Sequence, residues 1–144
     1  MDVDTVLVPV DGTQSAMEAV RYAVAIADRY EARVHAVYVL GQEAASAIDD
    51  GSVEAAAVAD RGEQIMAGVR TIADGVSVDH SSACGFSVST LSQHPGSVIL
   101  DVAETLGVEF IVVPRESVTE DSEAVIGKAA EYVIGRATQP VLSV

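Results

Sequence analysis

The sequence predicts one doubly wound α/β domain with a five-stranded parallel sheet in the order 3-2-1-4-5 and helices on both faces. Short valine-rich apolar runs alternate with longer segments of helical apolar spacing along all 144 residues. The first and fourth runs are almost continuously apolar, which is typical of parallel strands buried on both faces. No repeat or linker divides residues 1–144, and right-handed crossovers favour this Rossmann-like order.

The first half of the chain predicts two strands and two helices. The strands are "TVLVPV" (5–10), followed by the turn residues "DGT", and "ARVHAVYVL" (32–40). Ser15 and Glu18 have the spacing of a capping box at the start of the first helix. The second helix is expected at about 52–73. The apolar sides of the two helices are formed by Ala16, Ala19, Val20, Ala23, Val24 and Ala27, and by Val58, Ile65, Val69 and Ile72.

The second half predicts three more strands and two more helices. "GVSVDHSSA" (75–83) is a less buried strand, and the serine-rich residues 84–94 are a strand extension or an excursion. Pro95 and Gly107 bound the third helix, and "EFIVVP" (109–114) and "PVLSV" (140–144) are the last strands. The apolar stripes of the last two helices are Val98, Ile99, Val102, Ala103 and Leu106, and Ile126, Ala129, Ala130, Val133, Ile134 and Ala137.

Composition excludes several classes of function. The net charge of −14 disfavours binding to nucleic acid and to anionic lipid, since both require a cationic surface. The acid excess, with Lys128 as the single lysine, favours adaptation to high salt, where self-repulsion is screened. With Cys84 as the one cysteine, no intrachain disulfide can form. The acidic start and the lack of a long apolar segment predict a soluble cytoplasmic protein without membrane insertion.

The predicted strand order also predicts where a ligand binds. In such a sheet the chain direction reverses between strands 1 and 4, and the crevice at their carboxyl ends is the default ligand site. Asp11 follows strand 1, and Pro114 follows strand 4. Asp11 is either a pocket residue or simply a turn or helix-capping acid.

The two ends of the chain carry a resemblance to a known family. "VLVPVDGTQSAMEAVRYAVAIA" at the front and "FIVVP…IGKAAEYVIGRATQPVLSV" at the back resemble universal stress proteins of the UspA type over essentially the whole length. The resemblance implies the 3-2-1-4-5 order and a homodimer formed by antiparallel pairing of the last strands, here Pro140–Val144. It also implies that Asp11 lies near the base and ribose of a bound nucleotide. An uncovered apolar edge strand would invite aggregation, which independently favours pairing at this edge.

The phosphate loop of the nucleotide-binding members is degraded here. Those members carry G-x2-G-x9-G-[S/T] after strand 4, and an ungapped overlay puts the first two glycines on Pro114 and Ser117. The third falls on Gly127, and the hydroxyl residue on Lys128. Proline has no N–H to donate to a phosphate, and the carboxylates between these positions would repel a triphosphate. They are Glu116, Glu120, Asp121 and Glu123.

Three interpretations follow from these features. The first is a dimeric stress-response or regulatory protein that binds a protein partner, catalyses no reaction, requires no cofactor and binds ATP poorly. The alternative is a sensor of ATP, AMP or a related nucleotide, in which Asp11, Gly127 and Lys128 hold the ligand and Arg115 replaces lost N–H donors. The third is an unrelated doubly wound enzyme that uses Asp11 and Cys84, although no nucleophile–base constellation supports it.

The remaining candidates have simpler explanations. Cys84 and His80 fall on one face of a strand and could form a redox or nucleophilic pair, but nothing marks an oxyanion hole or an orienting third group, so a small buried thiol is the favoured explanation. The spacing of His35, His80 and His94 is not typical of a metal site. The acidic segment 117–123 is a solvated loop or an interaction loop.

Overall fold

A computed structural model describes residues 2–40, 51, 55–84, 95–115 and 129–144 of the chain. Within them, five parallel strands form one sheet in the order β3-β2-β1-β4-β5. The elements are β1 (Thr5–Val10), α1 (Gln14–Tyr30), β2 (Arg33–Leu40), α2 (Ala55–Ala73), β3 (Val78–Cys84), α3 (Pro95–Leu106), β4 (Phe110–Val113), α4 (Ala129–Arg136) and β5 (Val141–Ser143). The predicted fold class and strand order are confirmed.

The two faces of the sheet carry separate apolar cores, as crossovers in opposite directions require. Helices α1 and α2 cover one face, where Ala19, Val20 and Val69 are fully buried against the valines of β1 and β2. Helices α3 and α4 cover the other face, where Ile99 and Val133 are fully buried. The central strand β1 therefore contributes side chains to both cores, and both faces are covered where β1 meets its neighbours.

Helix α1 begins at a different cap from the one that the sequence predicts. The N-cap is Thr13, whose hydroxyl accepts a hydrogen bond from the backbone N–H of Ala16 at 3.2 Å. Ser15 lies inside the helix, so the predicted capping box with Glu18 is wrong. Because Thr13 is also held by the turn after β1, the helix starts two residues earlier than that capping box requires.

The described members of the predicted apolar stripes are buried or half-buried, with two exceptions; Ile126 and the side chain of Val58 lie outside the described part. Leu106 and Ile134 are exposed. Leu106 is the last residue of α3, and the chain turns away at Gly107, where φ is 63°. Ile134 follows the buried Val133, so it lies about 100° further around α4, away from the sheet. Among the described helices, none has the length and apolar character that crossing a membrane requires.

Candidate functional site

The register of the sheet places Asp11 at the point where the strand order reverses. In the central strand, Val10 is opposite Tyr38 of β2, and Leu7 is opposite Ile111 of β4. Extending the β1–β4 register by four residues brings Asp11 level with Arg115. The crossovers that leave β1 and β4 cover opposite faces of the sheet, so a crevice opens between the two strand ends. Asp11 lies at this crevice.

One oxygen of the Asp11 carboxylate is held by the turn that follows β1. Its Oδ1 accepts the backbone N–H of Thr13 at 3.0 Å and the Thr13 hydroxyl at 2.7 Å. The same hydroxyl accepts the N–H of Ala16 and so joins the carboxylate to the first turn of α1. The orientation of Asp11 is therefore set by the fold and does not depend on a ligand.

The other carboxylate oxygen of Asp11 has no such partner. Asp11 exposes only 9% of its surface, and its Oδ2 is buried without a hydrogen-bond partner among the described residues. Leaving a buried acceptor unsatisfied costs about 1–3 kcal/mol, and native structures contain few such groups. A carboxylate oxygen can accept only, so Oδ2 is suited to a hydroxyl or amine group of a ligand.

On the β2 side of Asp11, helix α2 packs closely against the turn that follows β1. Gly12 has φ +85°, and a Cβ built on it would lie 3.2 Å from Cδ1 of Ile65 and 3.5 Å from Nη2 of Arg61. A second close approach joins the same helix to β2, because a Cβ on Gly62 would lie 3.1 Å from the ring of Tyr38. Sequence reasoning identified Gly12 only as a turn residue and missed Arg61, since no local pattern links α2 to the β1 turn.

On the β4 side, the described contacts of Arg115 point toward the edge of the sheet. Its backbone N–H donates to the carbonyl of Val144 at 2.6 Å, and its Nη2 donates to the carbonyl of Ser143 at 3.4 Å. The hypothesis that Arg115 replaces the lost loop donors is not supported by these contacts. Gly127 and Lys128, the other predicted site residues, lie outside the described residues.

A second polar group lies away from the crevice, between β2 and β3. His35 exposes 9% of its surface, and its Nε2 is 2.9 Å from Oγ of Ser81. Burial lowers the pKa of His35, while the charge of Asp79 acts in the opposite direction and His80 lowers it further. The structure describes the backbone of Cys84 but not its side chain, and His94 lies outside the described part. Within the described part, there is no group of three or more His, Cys, Asp or Glu side chains that could bind a metal ion.

Comparison with known proteins gives a consistent result over nearly the whole chain. Residues 3–144 match the model of the Universal stress protein family. A universal stress protein of Methanocaldococcus jannaschii is 27% identical in an alignment of 144 positions, and this alignment covers 96% of this chain and 80% of that protein.

Two solved structures of universal stress proteins share the fold and carry nucleotides. One is in complex with cAMP; it has a TM-score of 0.69 and 17% identity, and the match covers 100% of this chain and 98% of that one. The other, from Archaeoglobus fulgidus, is in complex with dAMP; it has a TM-score of 0.67 and 20% identity, and the match covers 99% and 98% of the two chains. At these identities the likeness shows the fold alone.

Proposed function

The chain belongs to the universal stress protein family, and on that premise we propose that it is a regulatory binding protein with an altered nucleotide site. The crevice keeps the end that receives the nucleoside and has lost the end that receives a polyphosphate. The observation that carries this proposal is the buried, unpartnered Oδ2 of Asp11 at the carboxyl end of β1.

A nucleoside fits the chemistry of Asp11 better than a phosphate does. Ribose hydroxyls and base amino groups are donors, whereas Oδ2 can only accept and would repel an anion. The resemblance to the family puts the same aspartate near the base and ribose. The universal stress protein structures with cAMP and dAMP support a ligand that carries one phosphate.

The sequence after β4 supports weak binding of a triphosphate. Pro114 and Ser117 stand where the nucleotide-binding members have glycine. Glycine lets the backbone N–H groups approach phosphate oxygens, but proline supplies no N–H at all. Each donor left unmade costs about 1–3 kcal/mol. We therefore expect the preference for ATP over AMP to be lost or reversed.

Titration calorimetry at high salt tests the proposal with four ligands: adenosine, AMP, cAMP and ATP with magnesium. We expect AMP to bind at least as tightly as ATP, since each missing loop donor lowers the affinity for ATP by about 10-fold. Asp11→Asn should weaken adenosine binding by about 10-fold, because the amide replaces one of the two acceptor oxygens with an NH2 donor. Asp28→Asn removes the same charge near the other end of α1 and should change nothing. Tight ATP binding, or adenosine binding that Asp11→Asn leaves unaltered, would contradict the proposal.

Assembly and role complete the proposal. We expect a cytoplasmic homodimer that pairs through residues 140–144, adapted to high salt and acting in a stress response through a protein partner and not by turnover. The supporting observation is that β5 lies at the edge of the sheet and carries half-buried apolar side chains.

A further inference from the structure

The guanidinium of Arg61, an exposed residue of α2, lies beside the turn that begins with Asp11. Its Nη2 is 3.5 Å from the place that a Cβ on Gly12 would take, and Ile65, one helical turn further along α2, is 3.2 Å from the same place. Two contacts from one face of α2 thus converge on Gly12. Residues four apart lie on the same side of a helix, so the packing of Ile65 against Gly12 also positions Arg61 next to this turn.

The position of α2 puts Arg61 on the β2 side of Asp11. Gly62 packs on the ring of Tyr38, and Tyr38 is opposite Val10 in the β1–β2 register. Asp11 follows Val10 directly. The guanidinium therefore lies near the carboxyl ends of β1 and β2. The degraded phosphate loop follows β4, which is on the opposite side of β1.

The two side chains together select a ligand group with both donors and acceptors. Asp11 Oδ2 accepts only, and a guanidinium donates only. A nucleoside presents both kinds of group within a few ångströms, on its base edge and its ribose. A phosphate presents acceptors and negative charge, and the Asp11 carboxylate already occupies the N-terminal end of α1, where a helix favours an anion.

We propose that Arg61 is a second ligand-contact residue of the crevice and binds the nucleoside moiety that Asp11 holds. This inference rests on the proposed nucleoside site and adds the residue that recognises the base side. Arg61 also makes an interaction of its own within the chain. Its five N–H donors allow it to keep that interaction while it donates to a ligand.

Titrations of adenosine and AMP into Arg61 variants test this assignment. We expect Arg61→Ala to weaken both ligands by the same factor, about 10-fold, which is typical of losing a charge-assisted hydrogen bond. Arg61→Lys should weaken both nearly as much, because an ammonium lacks the planar fork of the guanidinium. Arg70→Ala is the matched control, since Arg70 lies on the same helix and pairs with Glu63; it should leave both affinities unchanged.

The outcomes separate this inference from the proposed function. A loss seen with AMP but not with adenosine would show a phosphate contact and overturn the inference. Unchanged adenosine binding in a folded Arg61→Ala variant would also overturn it, while the proposed function would stand if Asp11→Asn still weakened binding. If the unmodified protein bound neither adenosine nor AMP, both would fail. Retention of the wild-type circular dichroism spectrum and melting temperature identifies a folded variant.

Discussion

Among the described residues, the two edges of the sheet differ in chemistry although each directs backbone groups outward. The β3 edge carries the exposed side chains of Asp79 and His80, and a cross-strand ion pair joins Asp79 to Arg33 of β2. The β5 edge consists of Val141–Ser143, with Val141 and Leu142 half-buried. Charged side chains on an edge oppose its pairing with another chain. On this difference we base the expectation that a homodimer pairs through β5 and not through β3.

Alternation of the hydrogen bonds identifies the backbone groups that face outward. At one edge, Ile111 donates to the carbonyl of Pro140 and Val144 donates to the carbonyl of Val113. Residues 140, 142 and 144 therefore face β4, and Ser143 directs its N–H outward. At the other edge, Val34 donates to the carbonyl of Ser77, so His80 directs its N–H outward. These two residues are equivalent positions on opposite edges.

The largest expected effect comes from proline at the outward position of β5. Ser143→Pro removes an N–H from the outer edge and leaves the bonds to β4 in place. In a symmetric dimer the loss counts twice, at about 1 kcal/mol for each bond, so we expect dimerisation to weaken by at least about 30-fold. Sedimentation analysis over a range of concentrations measures this change.

His80→Pro is the matched control on the β3 edge, and it should leave the association constant unchanged. The contrast between the edges would be refuted if His80→Pro dissociated the dimer and Ser143→Pro did not. If neither variant changed the association constant, a surface away from both edges would hold the dimer together.

Some features of the sheet and of the candidate site could be predicted from the sequence, and others could not. The alternation of elements predicted the strand order and the central place of Asp11, because both follow from local patterns and the handedness of crossovers. The alternative that Asp11 is a turn acid is confirmed by its bonds to Thr13. The N-cap role of Thr13 was missed, since Ser15 offered the more familiar capping pattern. The contact of Arg61 with Gly12 and the bond between His35 and Ser81 join distant segments. No single-sequence pattern encodes such contacts, which depend on helix placement and strand register.

An intermediate effect is expected from His35, which helps to hold β3 against β2. Burial lowers the pKa of His35 in the folded protein, so between the ordinary value of about 6.5 and that lower value the unfolded chain binds more protons. The stabilisation is thus fully present above about pH 6.5 and is lost as the pH falls through this window. We expect His35→Gln to cost about 1 kcal/mol at neutral pH through a poorer bond to Ser81.

Urea unfolding at a series of pH values measures this dependence. The free energy of unfolding of the unmodified protein should fall more steeply below about pH 6.5 than that of His35→Gln. His80→Gln, on the same edge strand, should retain most of the steeper fall, because burial and not the charge of His80 is the main cause of the lowered pKa of His35. Identical pH profiles for the unmodified protein and His35→Gln would contradict the assignment of this dependence to His35.

The smallest effect is expected from the ion pair that joins β3 to β2 near its amino end. Arg33 Nη1 and Asp79 Oδ2 are 3.1 Å apart, and the two side chains are 59% and 56% exposed. An exposed pair of this kind contributes about 0.2–1 kcal/mol, and salt screens it. A double-mutant cycle with Arg33→Ala and Asp79→Ala should therefore give a coupling energy in this range at low salt and almost none in molar salt.

The charge of Asp79 also acts on the pKa of His35, and this effect can be measured separately from the ion pair with Arg33. This charge raises the pKa of His35 against the dominant effect of burial. Asp79→Asn should consequently lower the folded-state pKa of His35 further and extend the loss of stability to lower pH. If Asp79→Asn left this window unchanged, the charge of Asp79 would not reach His35. The β3 edge would then be stabilised by the Arg33 pair and the Ser81 hydrogen bond as two independent contacts.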